Sequence, residues 1–347
     1  MKTKMMILTM LALAMMSCSE EAGDDTPMPQ PQQDEQTEEK KTGAYSNLVS
    51  QTNPYPAIYE QEATRRGLVV EMIYATRDYA EGTGRSRENN ALVYLPYGYD
   101  NEANRRYNIV YLVHGHYGKA STFLTTEGEL LRKVLDNMIE RGDIEPLIVV
   151  TPTYNYGQPT SNYVDADSYC RALPQELQHD LMPLVESRYR TYALTTDSAG
   201  LASARDHRAI GGFSMGGVTT WYALDETLSM FRWFLPMSGD SWSLGAFAGM
   251  NRPSETARYL EQRIRQQGFG TDDFYIWAAS GTSDSAYRET LNQIEGMVAA
   301  GGIFGLQNTT FHEKDRAAHE YRPMVEYIYN ALPFFFPRTT TMATSHQ

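Results

Sequence analysis

A Gly-x-Ser-x-Gly pattern near the middle of the chain limits the possible folds more than any other stretch. A short approach segment, residues 207–211, precedes it, and a run with helical character, residues 218–224, follows it. The pattern itself reads Gly212-Phe213-Ser214-Met215-Gly216. A serine between a strand and a helix occupies a turn so tight that only flanking glycines let the two backbones approach. The pattern therefore predicts a strand, a sharp turn that exposes the Ser214 hydroxyl, and a helix, with a purely structural glycine-rich turn as the alternative.

Predicted strands and helices alternate along the rest of the chain. Alternation of this kind predicts an α/β fold with a mostly parallel central sheet and helices on both faces. A length of 347 residues and a hydrophobic content of 41% suit one such domain. Besides the strand before Ser214, the predicted strands are residues 67–74, 90–96, 107–115, 147–151, 234–238 and 274–279, and the predicted helices include residues 127–141, 173–189 and 255–267.

The first 18 residues have the pattern of a bacterial export signal. Two lysines precede an apolar run, residues 5–16, which is too short to anchor a protein stably across a bilayer. The run ends at Cys18, which resembles the lipidated cysteine of bacterial lipoproteins, although Met15 and Met16 depart from the usual residues before it. We therefore expect residues 1–18 to be a lipoprotein signal peptide and the protein to be exported to the outer membrane or cell surface. Ordinary cleavage of the signal and a periplasmic location are the alternatives.

Composition divides the remainder into a tether, a folded domain and a tail. Residues 19–45 contain eight acidic residues among prolines and glutamines, and almost no apolar side chains that could offset the entropy of ordering. We expect a disordered tether over residues 19–53, a folded domain over residues 54–338 and a polar tail over residues 339–347. The net charge of −13 and the lack of a basic stretch argue against a nucleic-acid partner.

A nucleophilic serine requires an imidazole that takes its proton and a carboxylate that orients the imidazole. On a strand–turn–helix scaffold the acid and then the histidine follow the serine in sequence. The histidines after Ser214 are His312, His319 and His346, and His346 lies in the predicted tail. His319 comes directly before a helical pattern near the end of the chain, the usual place for such a histidine. We favour His319 as the base, with His312 as the alternative.

Two aspartates are candidates for the acid. Asp284 follows the predicted strand 274–279, and Asp240 follows the predicted strand 234–238. A carboxylate at the carboxyl end of a parallel strand points into the crevice where ligands bind. We favour Asp284, and Asp240 remains the competitor, which we otherwise expect to line the pocket.

Two backbone N–H groups are expected to stabilise the oxyanion of the tetrahedral intermediate. One belongs to Met215, the residue after the serine. The other belongs to the loop that follows the central strand, where we assign it to His116. His114 and His116 are close in sequence, but no carboxylate or cysteine cluster accompanies them. The sequence therefore predicts neither a metal nor a cofactor.

Several motifs between about residues 65 and 337 together resemble carbohydrate esterase family 1, above all the feruloyl esterase domains of bacterial xylanases. This resemblance implies an α/β-hydrolase fold with Ser214, Asp284 and His319 as the catalytic triad, and it favours Asp284 over Asp240. The chain departs from the family where His116 and Tyr117 replace glycines of the oxyanion loop. The motifs are residues 111–115, 145–153, 211–222, 237–242, 278–284 and 327–335.

The expected function is that of a serine esterase that removes feruloyl or acetyl groups from plant cell-wall xylan through an acyl-enzyme. We expect Tyr117, Trp242 and Tyr154 to contact the substrate through their rings, with core packing as the alternative for Trp242. The expected partner is acylated xylan or a xylo-oligosaccharide, and the expected membrane contact is a lipid on Cys18. An acyltransferase or peptidase with the same triad, or a catalytically silent glycan-binding protein, is the alternative.

Overall fold

One mixed β-sheet runs through the computed structural model, which describes residues 47–156, 158 and 160–336. Its strands are β1 (Val49–Gln51), β2 (Leu68–Arg77), β3 (Ser86–Leu95), β4 (Asn108–Val113), β5 (Leu147–Pro152), β6 (Arg208–Phe213), β7 (Trp233–Met237), β8 (Tyr275–Gly281) and β9 (Thr309–Lys314). They lie side by side in the order β1-β9-β8-β7-β6-β4-β5-β3-β2. Among these strands, β3 pairs antiparallel with β2 and β5, and the other pairs are parallel. The predicted mostly parallel sheet is confirmed.

Helices cover both faces of the sheet, as predicted. Alternate residues of a strand point to opposite faces, and Tyr111 and Leu112 of β4 accordingly enter two separate buried clusters. The helices are α1 (Thr122–Arg141), α2 (Asp167–Glu176), α3 (Met182–Arg188), α4 (Ser198–Ser203), α5 (Met215–Glu226), α6 (Ala248–Asn251), α7 (Pro253–Gln266), α8 (Tyr287–Ala300) and α9 (Tyr321–Ala331). Residues of α1 and α9 pack in the cluster of Leu112, and residues of α2, α5, α7 and α8 pack in the cluster of Tyr111.

Two predicted helices differ from the observed ones. Helix α1 begins five residues before the predicted start, at Thr122, but Thr126 is extended and residues 127–129 have positive φ, so the continuous helix starts after this break. The predicted helix 173–189 is α2 and α3 joined by a π-helical turn, Leu177–Leu181. Strand β9 was not predicted, because its sequence Thr-Thr-Phe-His-Glu-Lys contains no apolar run.

The folded domain starts earlier than residue 54. Strand β1 pairs in parallel with β9 at the edge of the sheet. Leu48 is buried in the core, and the backbone N–H of Asn53 donates to the Asn330 side chain (2.9 Å). The prediction that the tether extends to residue 53 is therefore wrong, because a short edge strand is held by backbone hydrogen bonds that composition does not reveal. The predicted signal peptide with Cys18, most of the tether and the tail from residue 339 lie outside the described residues.

Within the described ranges, no helix is both long enough and apolar enough to span a bilayer.

Candidate active site

Ser214 occupies the sharp turn between β6 and α5. Its backbone has φ +57° and ψ −119°, a conformation that non-glycine residues rarely adopt and that is found mostly where function requires it. A Cβ atom on Gly212 would collide with the backbone of Gly216, and one on Gly216 would collide with the carbonyl of Val113. The two glycines are therefore needed for the close approach of helix and strand. The structure contains the strand, turn and helix that the sequence pattern predicts.

His319 and Asp284 form a hydrogen-bonded pair. Nδ1 of His319 lies 2.7 Å from Oδ1 of Asp284. The Asp284 side chain is 0% exposed, whereas that of His319 is 31% exposed. Oδ1 of Asp284 also accepts from the backbone N–H of Ala286 (2.7 Å), and Oδ2 accepts from Oγ of Ser238 (2.8 Å). These donors fix the orientation of the carboxylate, and the carboxylate in turn fixes the imidazole.

Ser214 and His319 line the same cavity. The imidazole packs on the ring of Phe213, the residue before the serine, with 4.4 Å between ring centroids. Because Asp284 occupies Nδ1, Nε2 is the nitrogen left to exchange a proton inside the cavity. In this arrangement Ser214 can act as a nucleophile and His319 as its general base.

The carbonyl of Gly115 is held by groups behind the cavity wall. It accepts from Nδ1 of His114 (2.7 Å), the Tyr154 hydroxyl (3.1 Å) and the N–H of Gly118 (3.0 Å). Burial lowers the pKa of His114 to about 4, so the ring is neutral, and Nδ1 carries the proton because a carbonyl only accepts. In a trans peptide the N–H points opposite to the C=O. The N–H of His116 therefore points away from these donors.

Both predicted oxyanion donors belong to backbone segments beside Ser214. A Cβ atom on Gly115 would lie 3.2 Å from Cβ of Ser214, so the loop that carries His116 touches the serine. Met215 opens α5, and the first N–H groups of a helix have no partner within it. His116 and Met215 also line the cavity. The geometry suits two N–H groups that meet an oxyanion formed at Ser214.

The cavity has a volume of about 570 Å³ and walls rich in aromatic rings. Trp242, predicted to contact substrate, lines it and is otherwise buried. Tyr117, also predicted, lies at its mouth and is 74% exposed. The other aromatic residues of the wall are Phe123, Tyr163, Phe213, Phe247 and Tyr321.

Tyr154 and Asp240 were predicted to contact substrate, and for both the prediction is wrong. Tyr154 is 2% exposed and lies behind the oxyanion loop, where its ring is tilted against that of His114 with 4.6 Å between ring centroids. Asp240 is fully buried and accepts from Nε1 of Trp242 (2.8 Å) and the N–H of Met250 (2.7 Å). Burial raises the pKa of its carboxyl to about 6. Both residues lie in the protein interior behind the cavity walls, which they support, and neither faces the cavity.

His312, the alternative base, lies away from the site. Its ring stacks on Trp277 with 3.8 Å between centroids, and Nε2 contacts Thr310 (3.1 Å). Burial lowers the pKa of His312 to about 4. This histidine is a packed side chain of β9, with no carboxylate partner among the described residues.

Sequence reasoning missed several residues of the site, among them Ser238, Tyr163, Phe247 and Glu289. Ser238 has positive φ at the end of β7 and donates to Asp284, and its position after a strand was the available signal. Tyr163, Phe247 and Glu289 line the cavity from two loops and from α8. No local pattern distinguishes these three from surface or core residues.

The described residues contain no group of three or more His, Cys, Asp or Glu side chains arranged to hold a metal ion.

Comparisons with known proteins place the chain in a family. The family model described as "Putative esterase" matches residues 83–323. Endo-1,4-beta-xylanase Y of Acetivibrio thermocellus is 36% identical over 297 residues, which are 84% of this chain and 25% of that protein. An endo-1,4-beta-xylanase/feruloyl esterase of Xylanibacter ruminicola is 29% identical over 47% of this chain and 21% of that protein. The chain thus spans about a quarter or less of the length of these relatives.

Solved structures give the same assignment. The feruloyl esterase module from Clostridium thermocellum, in complex with sinapinate, matches 86% of this chain and 98% of the module, with a TM-score of 0.73 and 34% identity. The ferulic acid esterase of the fungus Anaeromyces mucronatus matches at a TM-score of 0.59 over 83% of this chain and 98% of that one, and its 19% identity supports the fold alone. The predicted α/β-hydrolase fold is confirmed. The chain therefore belongs to the esterase family, and the resemblance to the feruloyl esterase domains of bacterial xylanases that its motifs predicted is confirmed.

Proposed function

We propose that this protein is a serine esterase that removes feruloyl groups from plant cell-wall xylan. One observation carries the catalytic part of the proposal. Ser214, on its strained turn, shares a cavity with His319, whose Nδ1 lies 2.7 Å from the buried carboxylate of Asp284. A serine, an imidazole and a carboxylate in this relation are the parts that acyl transfer requires.

The proposed reaction has two halves. Nε2 of His319 takes the proton of Ser214 as Oγ attacks the ester carbonyl, and the N–H groups of Met215 and His116 stabilise the resulting oxyanion. His319 then gives the proton to the leaving sugar oxygen, and the acyl group remains on Ser214. Water, deprotonated by His319, attacks the carbonyl of this acyl-enzyme; His319 then returns the proton to Oγ of Ser214 as the bond between Oγ and the acyl group breaks and the acid leaves. Asp284 orients the imidazole and stabilises its charged form throughout.

The shape of the cavity favours a feruloyl over an acetyl group. A volume of about 570 Å³ with several aromatic walls exceeds what an acetyl group fills and suits a flat ring, which gains from edge and stacking contacts. The names of the relatives support the same choice, since one is a xylanase/feruloyl esterase and a similar module was solved with sinapinate.

Release of ferulate from feruloylated arabinoxylan and of acetate from acetylated xylan, measured side by side, tests the proposal. The comparison uses the wild type, Ser214→Ala and, as a matched control, Ser203→Ala on the exposed side of α4. Ferulate release that requires Ser214 but not Ser203 is the expected result. If acetate alone is released, the substrate is acetylated xylan and not feruloylated xylan.

Three further outcomes separate the alternatives. An acyltransferase would form new esters when an alcohol acceptor competes with water, and a peptidase would cleave amides faster than esters. Binding of feruloylated xylan without turnover of any ester, activated esters included, would indicate a non-catalytic glycan-binding protein.

We also propose that the protein is an exported lipoprotein held at the outer membrane or cell surface by a lipid on Cys18. The support is the signal-like sequence of residues 1–18 alone. Labelling with a radioactive fatty acid in a bacterial host tests it. Label that disappears in Cys18→Ala supports the anchor, and equal labelling of both chains contradicts it. Surface proteolysis of intact cells distinguishes an outward from a periplasmic position.

A further inference from the structure

Strand β2 forms one edge of the sheet, with no described strand on its outer side. It has ten residues, and its antiparallel register with β3 is unbroken as far as the last pair, Arg77 with Ser86. One step further in the same register, the N–H of Asp78 donates to the carbonyl of Arg85 (2.8 Å). Hydrogen-bonded pairs alternate along an antiparallel ladder, so the even-numbered residues of β2 form the bonds to β3. The N–H and C=O groups of the odd-numbered residues from 69 to 77 therefore point away from the sheet.

These outward backbone groups are free to pair with another strand. Among the described residues, no group donates to them or accepts from them. The odd-numbered side chains from 71 to 77 are exposed, and the even-numbered ones from 72 to 76 are buried. Ile73 lies in the middle of the exposed set and is 59% exposed. A long edge strand with an apolar side chain at its centre is a template for pairing with another chain.

The order of side chains along β2 matches the same strand in reverse. Two identical edges pair through a two-fold axis perpendicular to the sheet, which makes the two strands antiparallel. Odd-numbered residues must then face odd-numbered residues, because these carry the outward N–H and C=O groups. With Tyr74 on the axis, Glu71 faces Arg77 of the second copy, and Ile73 faces Ala75 of the second copy. Each contact occurs twice by symmetry. A slide of two residues in either direction separates Glu71 from Arg77.

We propose that β2 is an interface for a second copy of this chain, paired edge to edge in this register. Within one copy, Glu71 accepts from the neutral side chain of Asn90 (3.1 Å), and Arg77 lies 3.9 Å from Asp180. Neither Glu71 nor Arg77 thus has a charged partner at hydrogen-bonding distance, and the pairing supplies one for each. Opposite charges that face each other across two strands stabilise the pair, and like charges destabilise it.

The pairing joins two nine-stranded sheets into one continuous sheet. The two-fold axis reverses the direction of every strand in the second copy. Ser214 follows the carboxyl end of β6, so the two cavities lie at opposite edges of the joined sheet and bind separate substrates. The inference goes beyond the proposed function and does not depend on it.

Exchange of the two charges tests the pairing and its register. Sedimentation velocity of the chain from residue 19, which contains every described residue, measures the mass and the dissociation constant. For the wild type we expect the mass of two copies, which dissociate on dilution. Glu71→Arg and Arg77→Glu each place like charges opposite one another at both ends of the pairing. We therefore expect each single variant to raise the dissociation constant by about tenfold or more.

The double variant Glu71→Arg with Arg77→Glu restores opposite charges in the same register. We expect its dissociation constant to lie within about threefold of the wild-type value. Glu255→Arg is the matched control, because it reverses the same charge at an exposed position of α7. It should leave the dissociation constant unchanged.

A proline distinguishes the outer side of β2 from its inner side. The N–H of Ala75 points outward, so Ala75→Pro removes no bond to β3 but blocks a bond to the second copy. We expect this variant to be a single copy with a melting temperature close to that of the wild type. Thr76→Pro removes an N–H that belongs to the ladder with β3, and it should lower the melting temperature much more.

Amide hydrogen exchange of the wild type is a measurement that needs no variant. The odd-numbered amides of β2 should be protected at concentrations where two copies associate and should exchange rapidly on dilution. The even-numbered amides should stay protected in both conditions, because they bond to β3.

Four results would overturn the inference. A wild-type mass of one copy at every concentration would show that Glu71 and Arg77 prevent edge pairing. A dimer that persists in both Glu71→Arg and Ala75→Pro would lie on another surface. A double variant that stays dissociated would exclude this register. Protection of the odd-numbered amides in a single copy, lost when residues 19–46 are removed, would mean that the tether covers β2.

Discussion

The hydroxyl of Tyr154 donates a hydrogen bond to the carbonyl of Gly115 (3.1 Å), so a tyrosine predicted to touch substrate instead holds the oxyanion loop from behind. His114 and the N–H of Gly118 share the same carbonyl. The peptide that this carbonyl shares with the N–H of His116 is thereby fixed before substrate arrives. A donor that needs no reorganisation is the kind that stabilises an oxyanion most.

Tyr154→Phe removes one of these bonds and leaves the ring in place. A neutral hydrogen bond contributes about 0.5–1.5 kcal/mol, so we expect kcat to fall by roughly two- to tenfold on every ester, with KM nearly unchanged. Steady-state kinetics on methyl ferulate and on an activated acetate ester measure both constants. Tyr97→Phe, at an exposed position, is the control. A rise in KM for ferulate alone would mean that Tyr154 contacts substrate after all.

Asp284 and Asp240 should respond very differently to the same substitution. Asp284→Asn disturbs the tautomer and charge of His319, and we expect kcat to fall by roughly 10³–10⁴-fold, as for other buried triad acids. Asp240→Asn leaves His319 untouched but weakens the contacts to Trp242 and Met250, so we expect a lower melting temperature and a kcat within about tenfold of the wild type. Comparable losses of kcat for both variants would support Asp240 as the carboxylate of the catalytic triad.

A site residue can be predicted from the sequence when a local sequence pattern marks its position. Ser214, Asp284 and His319 each follow or precede an element boundary that is visible in the local pattern, and the structure brings the three together. Asp240 also follows a strand, but its position alone does not tell in which direction the side chain points. It points into the protein, where it holds Trp242.

Residues that meet only through packing of separate elements cannot be recognised from a local sequence pattern. Phe247 and Glu289 belong to different elements and meet in one wall because α8 packs against the segment 241–249. Strand β1 was assigned to the tether for a related reason. Its hydrogen bonds come from backbone groups that every sequence has, and Leu48 is the buried side chain beside it.

A chain that begins at residue 54 should therefore be less stable than one that begins at residue 47. The shorter chain loses the pairing of β1 with β9, the hydrogen bond from Asn53 to Asn330 and the burial of Leu48. Burial of one leucine side chain alone contributes about 1.5–3 kcal/mol. Urea unfolding of both chains measures the difference. Equal midpoints and slopes would show that β1 adds nothing to the domain.

Glu289 should make stability depend on pH. Burial raises its pKa from the ordinary 4.5 to about 7, so between these values the folded protein binds more protons than the unfolded chain. Its contribution to stability is then lost as pH rises through this window. Glu289→Gln cannot ionise at this position. We therefore expect its melting temperature to exceed that of the wild type at pH 8 but not at pH 4. If the difference in melting temperature between this variant and the wild type is the same at pH 4 and pH 8, a raised pKa of Glu289 is contradicted.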